Sequence, residues 1–164
     1  MDTFESAVYL VSKDSFLGSI DLRHAYLSVP IAEDDQTYLG LNWKGITYQY
    51  TCLPFGIAFA PRLFTKLLKP VNASLRKLGN KCVGYIDDSL LCGESVNECT
   101  ENINATLSQF TKLGFVVHKT KSILVPTKEI VFLGNINNDG FTTANECERL
   151  LSKQTAKIRE IARA

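Results

Sequence analysis

No apolar run in this 164-residue chain approaches the roughly 20 residues a helical membrane span requires, so no such span is expected. Met1 to Val11 carries Asp2 and Glu5 and lacks the basic-then-apolar order of a secretory signal, which predicts a chain made and kept inside the cell. No CxxC pair occurs. The five cysteines, Cys52, Cys82, Cys92, Cys99 and Cys147, suggest neither a disulfide framework nor a zinc site, and buried thiols are expected. The two histidines, His24 and His118, lie far apart, so a histidine metal site is not expected. Internal repeats, low-complexity tracts and Pro/Ser-rich linkers are also missing. With 45% hydrophobic and 21% charged residues, what is left is one ordinary globular domain over 1–164.

Acid is missing from one stretch altogether. From Pro61 to Lys81 the basic side chains Arg62, Lys66, Lys69, Arg76, Lys77 and Lys81 occur with no carboxylate among them. That composition suits a polyanion, and it equally suits a solvated helix face. A net charge of +1 conceals the division, since residues 1–60 sum to −4 and the remainder to +5.

Phe16 to Asp21 is a short, mostly apolar run that reads as a buried strand whose last residue emerges at the sheet's edge. Ile46 to Thr51 has strong strand propensity. After the turn-forming Leu53-Pro54-Phe55-Gly56, residues 61–78 follow a helical pattern, with Pro61 in the first turn, Gly79 as the stop and Pro70 expected to kink the helix. Lys81 to Ile86 and Ser89 to Gly93 are apolar arms around Asp87-Asp88, which predicts an antiparallel hairpin with carboxylates at its tip. Ser95 and Glu98 form a capping box, and Val96, Cys99, Ile103, Leu107 and Phe110 recur at helical spacing until Gly114. Phe115–Val117, Ile123–Val125 and Ile130–Leu133 read as further strands, and Thr143–Ala164 as a final, more polar helix. Strand, helix, hairpin, helix, strand is the order of a split βαβ sheet of ferredoxin-like, α+β type.

Adjacent aspartates are common in solvated turns. Here they tip a hairpin whose arms are too apolar for surface strands, and two neighbouring carboxylates at the end of a buried sheet repel each other unless cations neutralise them. Asp21 ends another strand. Three acids converging from two strands suit hard divalent cations such as Mg²⁺, and a pair of ions roughly 3.5 to 4 Å apart can activate an attacking oxygen and stabilise the leaving one.

Several segments carry a family resemblance. Ser19-Ile20-Asp21-Leu22-Arg23-His24-Ala25-Tyr26-Leu27-Ser28-Val29-Pro30 resembles the first catalytic motif of reverse transcriptases, and Tyr85-Ile86-Asp87-Asp88 resembles their YxDD box. Leu53-Pro54-Phe55-Gly56 through Pro61 is similar to the LPFG…AP segment of retroelement polymerases. Leu113-Gly114-Phe115 through Lys121-Ser122 resembles the motif that follows, and Val131-Phe132-Leu133-Gly134 the primer-grip motif. The wording from Pro61 to Pro70 looks most like DIRS-type retrotransposons, which integrate with a tyrosine recombinase.

The resemblance implies an RNA-directed DNA polymerase that joins dNTPs to a primer 3′-hydroxyl on an RNA or DNA template, acting in cytoplasm or nucleus. Asp21, Asp87 and Asp88 would be catalytic and would hold two Mg²⁺ ions, with Mn²⁺ a possible substitute. Tyr26 would be the steric gate against a ribose 2′-hydroxyl, although an isolated tyrosine there could be a core aromatic. Leu22, Phe55 and Gly56 would join Tyr26 in binding the nucleotide. Lys121 would protonate the leaving pyrophosphate, with Lys119 its near competitor. Phe132, Leu133 and Gly134 would form the primer grip, or a plain β-hairpin. The implied fold is a right-hand polymerase palm with partial fingers over about 16–136, and with 137–164 starting a thumb or connecting helix, truncated before a complete thumb. RNase H and recombinase domains would belong to the full element. A catalytically inactive palm that only binds nucleic acid is the competing expectation; an RNA replicase is disfavoured by Tyr26.

Overall fold

The computed structural model describes residues 4–12 and 14–132. Its centre is β1, Phe16–Arg23, where period-two alternation puts Leu17, Ser19 and Asp21 on one face and Gly18, Ile20 and Leu22 on the other. β1 pairs antiparallel with β5, Asp88–Gly93, which pairs antiparallel with β4, Lys81–Tyr85. On its other edge β1 meets β6, Val116–Val117, at Leu22 and Arg23, and β7, Ile123–Thr127, at Leu17 and Ser19. The first strand in the chain is thus central in the order β4-β5-β1-β6, as the split βαβ pattern requires.

Two helices cover one face. From α3, Ala60–Lys77, the buried Phe64, Leu68 and Leu75 pack on Ile20, Leu22, Cys82 and Leu91 with Cys99, Ile103 and Phe110 of α4, Val96–Lys112. α4 approaches closely because Gly18 has no side chain; a Cβ there would lie 2.6 Å from Ile103 Cδ1. On the opposite face Leu17, Val83, Leu90 and Cys92 pack with Ile130, Phe132, Val11 and Ala7 of α1, Phe4–Leu10. Burying one such leucine stabilises the fold by about 2 kcal/mol.

Local signals set the helix ends. The Ser95 hydroxyl accepts from the Glu98 N–H at 3.1 Å, while the Glu98 carboxylate accepts from the Glu94 N–H at 2.8 Å, one residue before the usual partner of a capping box. At the other end Gly114 adopts φ 82°, and the Phe115 N–H donates to the Phe110 carbonyl at 3.0 Å. Val96, expected on the apolar stripe, is 47% exposed, because α4 first meets the sheet at Cys99, whose backbone lies against Gly93. α3 runs as one helix through Pro70, which supplies no N–H to the Lys66 carbonyl.

A second, two-stranded sheet joins β2, Gly40–Trp43, to β3, Ile46–Gln49. It follows a 3₁₀ turn, Tyr26–Ser28, and a single-turn helix α2, Glu33–Gln36. β3 ends two residues earlier than its propensity suggests. There the Tyr50 N–H turns to the Leu39 carbonyl and the Thr51 carbonyl accepts from Ile31, both at 3.0 Å. The strand expected over Ile130–Leu133 is not formed at Ile130, Val131 and Phe132: the alternation buries Ile130 and Phe132, but these residues join no ladder. The expected helix Thr143–Ala164, Cys147, Leu133 and Gly134 lie outside the described residues. Cys82, Cys92 and Cys99 are buried thiols, and burial pushes the Cys99 thiol up to about 11. Among the described residues no helix is long and apolar enough to cross a membrane.

Candidate active site

The hairpin tip sets the site. Tyr85 and Asp88 close the β4–β5 ladder, leaving Ile86 and Asp87 as a two-residue turn in which Ile86 alone has positive φ, 55°. A β-branched residue there is strained by about 1–3 kcal/mol and persists only where its surroundings over-determine it. Buried arms on both sides do that here.

Pairing register then fixes the carboxylates. The Leu22 N–H donates to the Asp87 carbonyl at 3.0 Å, which makes Leu22 and Asp87 a hydrogen-bonded pair and the adjacent Asp21–Asp88 a non-hydrogen-bonded one. Such pairs bring side chains closest, with Cα atoms about 4.5 Å apart. Asp21 shares its face with Leu17, and Asp88 with Leu90, so the two acids sit on the sheet face opposite α3 and α4. Burial, then the charges of Asp87 and Asp21, push the Asp88 carboxyl up to about 6, with Lys121 acting in the opposite sense. Lys121 Nζ lies 4.0 Å from Asp21 Oδ2, but its side chain is 65% exposed, so it offsets little of the repulsion.

The acids have the donor chemistry for Mg²⁺: hard oxygens from two strands, buried and then crowded enough that Asp88 resists ionisation. Among the described residues no three metal-ligating side chains close on a single point as they stand. Mg²⁺ is ordinarily held by one or two carboxylates, with water and substrate phosphate completing the octahedron, so an open pair of acids beside a third fits that ion.

Other expected residues divide into two groups. Tyr26 is brought to the site: burial and then the charges of Asp87 and Tyr85 raise its phenol. Its ring packs 5.4 Å from Phe55, which is 66% exposed, and edge-on 5.7 Å from the buried Phe64. Gly56 is exposed at φ 91°. Leu22, expected to bind substrate, instead has its side chain in the core at 2% exposure, because it falls on the helix-covered face of β1. Phe132, expected at the primer grip, has its ring buried against the second core. Of the two candidate lysines, Lys121 reaches an acid. Of the basic run, Lys81 is paired with Glu94 and Glu98 and the Arg76 Nε–H donates to the Cys82 carbonyl, while Arg62, Lys66, Lys69 and Lys77 are exposed along α3. Sequence reasoning missed Phe64 as the support of Tyr26; spacing along α3 marks it only as core.

A ferredoxin-like sheet backed by two helices, with acids facing each other across β1 and β5, defines a polymerase palm with adjoining fingers. The family described as reverse transcriptase (RNA-dependent DNA polymerase) matches residues 4–136, and the chain belongs to that family. It is 29% identical over 118 residues to the Gag-Pol polyprotein of walleye dermal sarcoma virus, covering 71% of this chain and 7% of that protein. To the retrovirus-related Pol polyprotein from transposon opus of Drosophila melanogaster it is 25% identical over 152 residues, covering 90% and 15%. Among solved structures, a foamy viral protease-reverse transcriptase in complex with RNA/DNA hybrid superposes with a TM-score of 0.66 at 26% identity, over 81% of this chain and 18% of that one. The chain therefore spans a small part of the relatives it matches.

Proposed function

We propose that the chain is the palm of an RNA-directed DNA polymerase of a retrotransposon, adding dNTPs to a primer 3′-hydroxyl on an RNA or DNA template. The observation that carries this reading is the close, non-hydrogen-bonded pairing of Asp21 with Asp88 beside Asp87 at the hairpin tip. Asp21 and Asp87 would be the main ligands of two Mg²⁺ ions, with Asp88 completing the acidic cluster. When bound, such ions lower the pKa of the primer hydroxyl and neutralise the triphosphate. The primer 3′-hydroxyl releases its proton to water, its oxygen bonds to the α-phosphorus as the bond to pyrophosphate breaks, and Lys121 gives its proton to that leaving group. Tyr26, held between Phe55 and Phe64, excludes a ribose 2′-hydroxyl, and Phe55 with Gly56 lines the nucleotide pocket. The side chain of Leu22 has no part in this, and Phe132 serves the primer grip by anchoring the segment that leads to Leu133 and Gly134.

On this reading residues from about 16 to 136 carry palm and fingers motifs. The likeness of Pro61–Pro70 to DIRS-type elements supports a source that also encodes RNase H and recombinase domains. A second reading, nucleic-acid binding without turnover, is favoured by the exposed aromatic face of β2–β3, which offers bases a stacking surface.

Primer extension on an RNA template with Mg²⁺ or Mn²⁺ decides between them. Metal-dependent extension with dNTPs, lost in Asp87→Asn, is expected. Salt-dependent binding with no product would establish the second reading instead. Equal use of ribonucleotides would remove the gate from Tyr26.

A further inference from the structure

Asp21 is held from the side away from β5. Because Leu22 and Asp87 form the hydrogen-bonded pair, the N–H and C=O of Asp21 point to the other edge of β1. Among the described residues no regular strand partner meets them there: β6 pairs with Leu22 and Arg23, β7 with Leu17 and Ser19, and residues 118–122 cross between. The crossing closes the gap. The His118 N–H donates to the Asp21 carbonyl at 2.8 Å, and the Asp21 N–H donates to the Ser122 hydroxyl oxygen at 3.0 Å. That hydroxyl donates in turn to the His118 carbonyl at 2.9 Å, which also accepts from the Ser122 N–H at 2.9 Å and the Lys121 N–H at 3.1 Å. The same turn carries Lys121 to the Asp21 carboxylate.

We propose that Ser122 is a positioning residue for Asp21. Its hydroxyl, a side-chain acceptor from 101 residues away, replaces the missing ladder partner. It fixes the backbone from which the Asp21 carboxylate faces Asp88, and sets the turn that aims Lys121. The purpose assigned to this hold rests on the metal-centre reading above. Alanine removes the acceptor and leaves the Asp21 N–H without its partner, whereas threonine keeps a hydroxyl.

The test uses the full 164-residue chain and two readouts besides turnover. In amide exchange followed by NMR, Ser122→Ala speeds exchange at Asp21 by about tenfold or more and Ser122→Thr by less than about threefold. Unchanged protection at Leu90 and Leu91 shows that the sheet is intact. In Mn²⁺ titration followed by electron paramagnetic resonance, Ser122→Ala weakens binding about tenfold, Ser122→Thr restores it, and Asp87→Asn abolishes it. Wild-type exchange at Asp21 in Ser122→Ala would overturn the hold. Faster exchange with Mn²⁺ affinity unchanged would overturn the positioning role. Mn²⁺ binding indifferent to Asp87→Asn would instead defeat the metal-centre reading and with it the purpose of the hold, while exchange at Asp21 would still decide whether the hold exists.

Discussion

The two hairpins β2–β3 and β4–β5 among the described residues share a two-residue turn and little else. In β2–β3 the turn is Lys44-Gly45, both at positive φ, 53° and 80°, the arrangement that matches the twist of a free hairpin. Every residue of the two strands is exposed, and pairing puts Leu41 with Tyr48 and Trp43 with Ile46 on one apolar face. In β4–β5 the arms are buried, the turn holds a strained Ile86, and acids stand at the tip. Favourable turn chemistry thus accompanies the ribbon that must hold itself together. The unfavourable turn is found where packing on both faces can hold it, beside the candidate chemistry.

The largest expected contrast is catalytic. Asp87→Asn should lower metal-dependent primer extension on the order of 10³-fold, whereas placing a new charge on the other hairpin, Asn42→Asp, should change it less than about threefold. Comparable losses in both would detach the activity from the hairpin tip. Next comes packing. Leu90→Ala should cost about 2–5 kcal/mol in denaturant unfolding and Leu41→Ala less than about 1, since Leu90 is fully buried and Leu41 is 37% exposed.

A smaller effect concerns Asp88. Its carboxyl is raised in the folded chain, so between pH of about 4 and 6 the folded state binds more protons than the unfolded one, and stability falls as pH rises through that window. Without divalent ions, Asp88→Asn should therefore stabilise the chain at pH 7 by about 1 kcal/mol, after allowance for solvent screening. The advantage should vanish near pH 4. A gain that persists in thermal melts at that pH would remove the account of a carboxylate penalised by burial and then by repulsion. Of similar size is Gly45→Ala, which places a side chain at φ 80° at a cost of about 1 kcal/mol. It should speed amide exchange within β2–β3 and leave β4–β5 unchanged.

The carboxylate-tipped hairpin was legible because two acids interrupt apolar arms, a local pattern that burial on both faces explains. Both long helices were legible for the same reason, from apolar spacing and from Pro61, Ser95 and Gly114 at their ends. What failed depended on partners distant in sequence. Ile130 to Phe132 alternates like a strand but joins no ladder among the described residues, and the side chain of Leu22, beside an acid, turns to the helices. Gly40-Leu41-Asn42-Trp43 carries no strand signal strong enough to read alone, and only its register with β3 makes it a strand. Ser122 left no local trace, because its partner lies in β1.

The central claim is that Asp21, Asp87 and Asp88 form a divalent-metal centre. Calorimetric titration of the wild-type chain with Mn²⁺, beside Asp21→Asn, Asp87→Asn and Asn42→Asp, tests it most directly. The account predicts up to two ions bound by the wild type and by Asn42→Asp, and loss of that binding in both carboxylate variants. Equal binding by all four chains would contradict it.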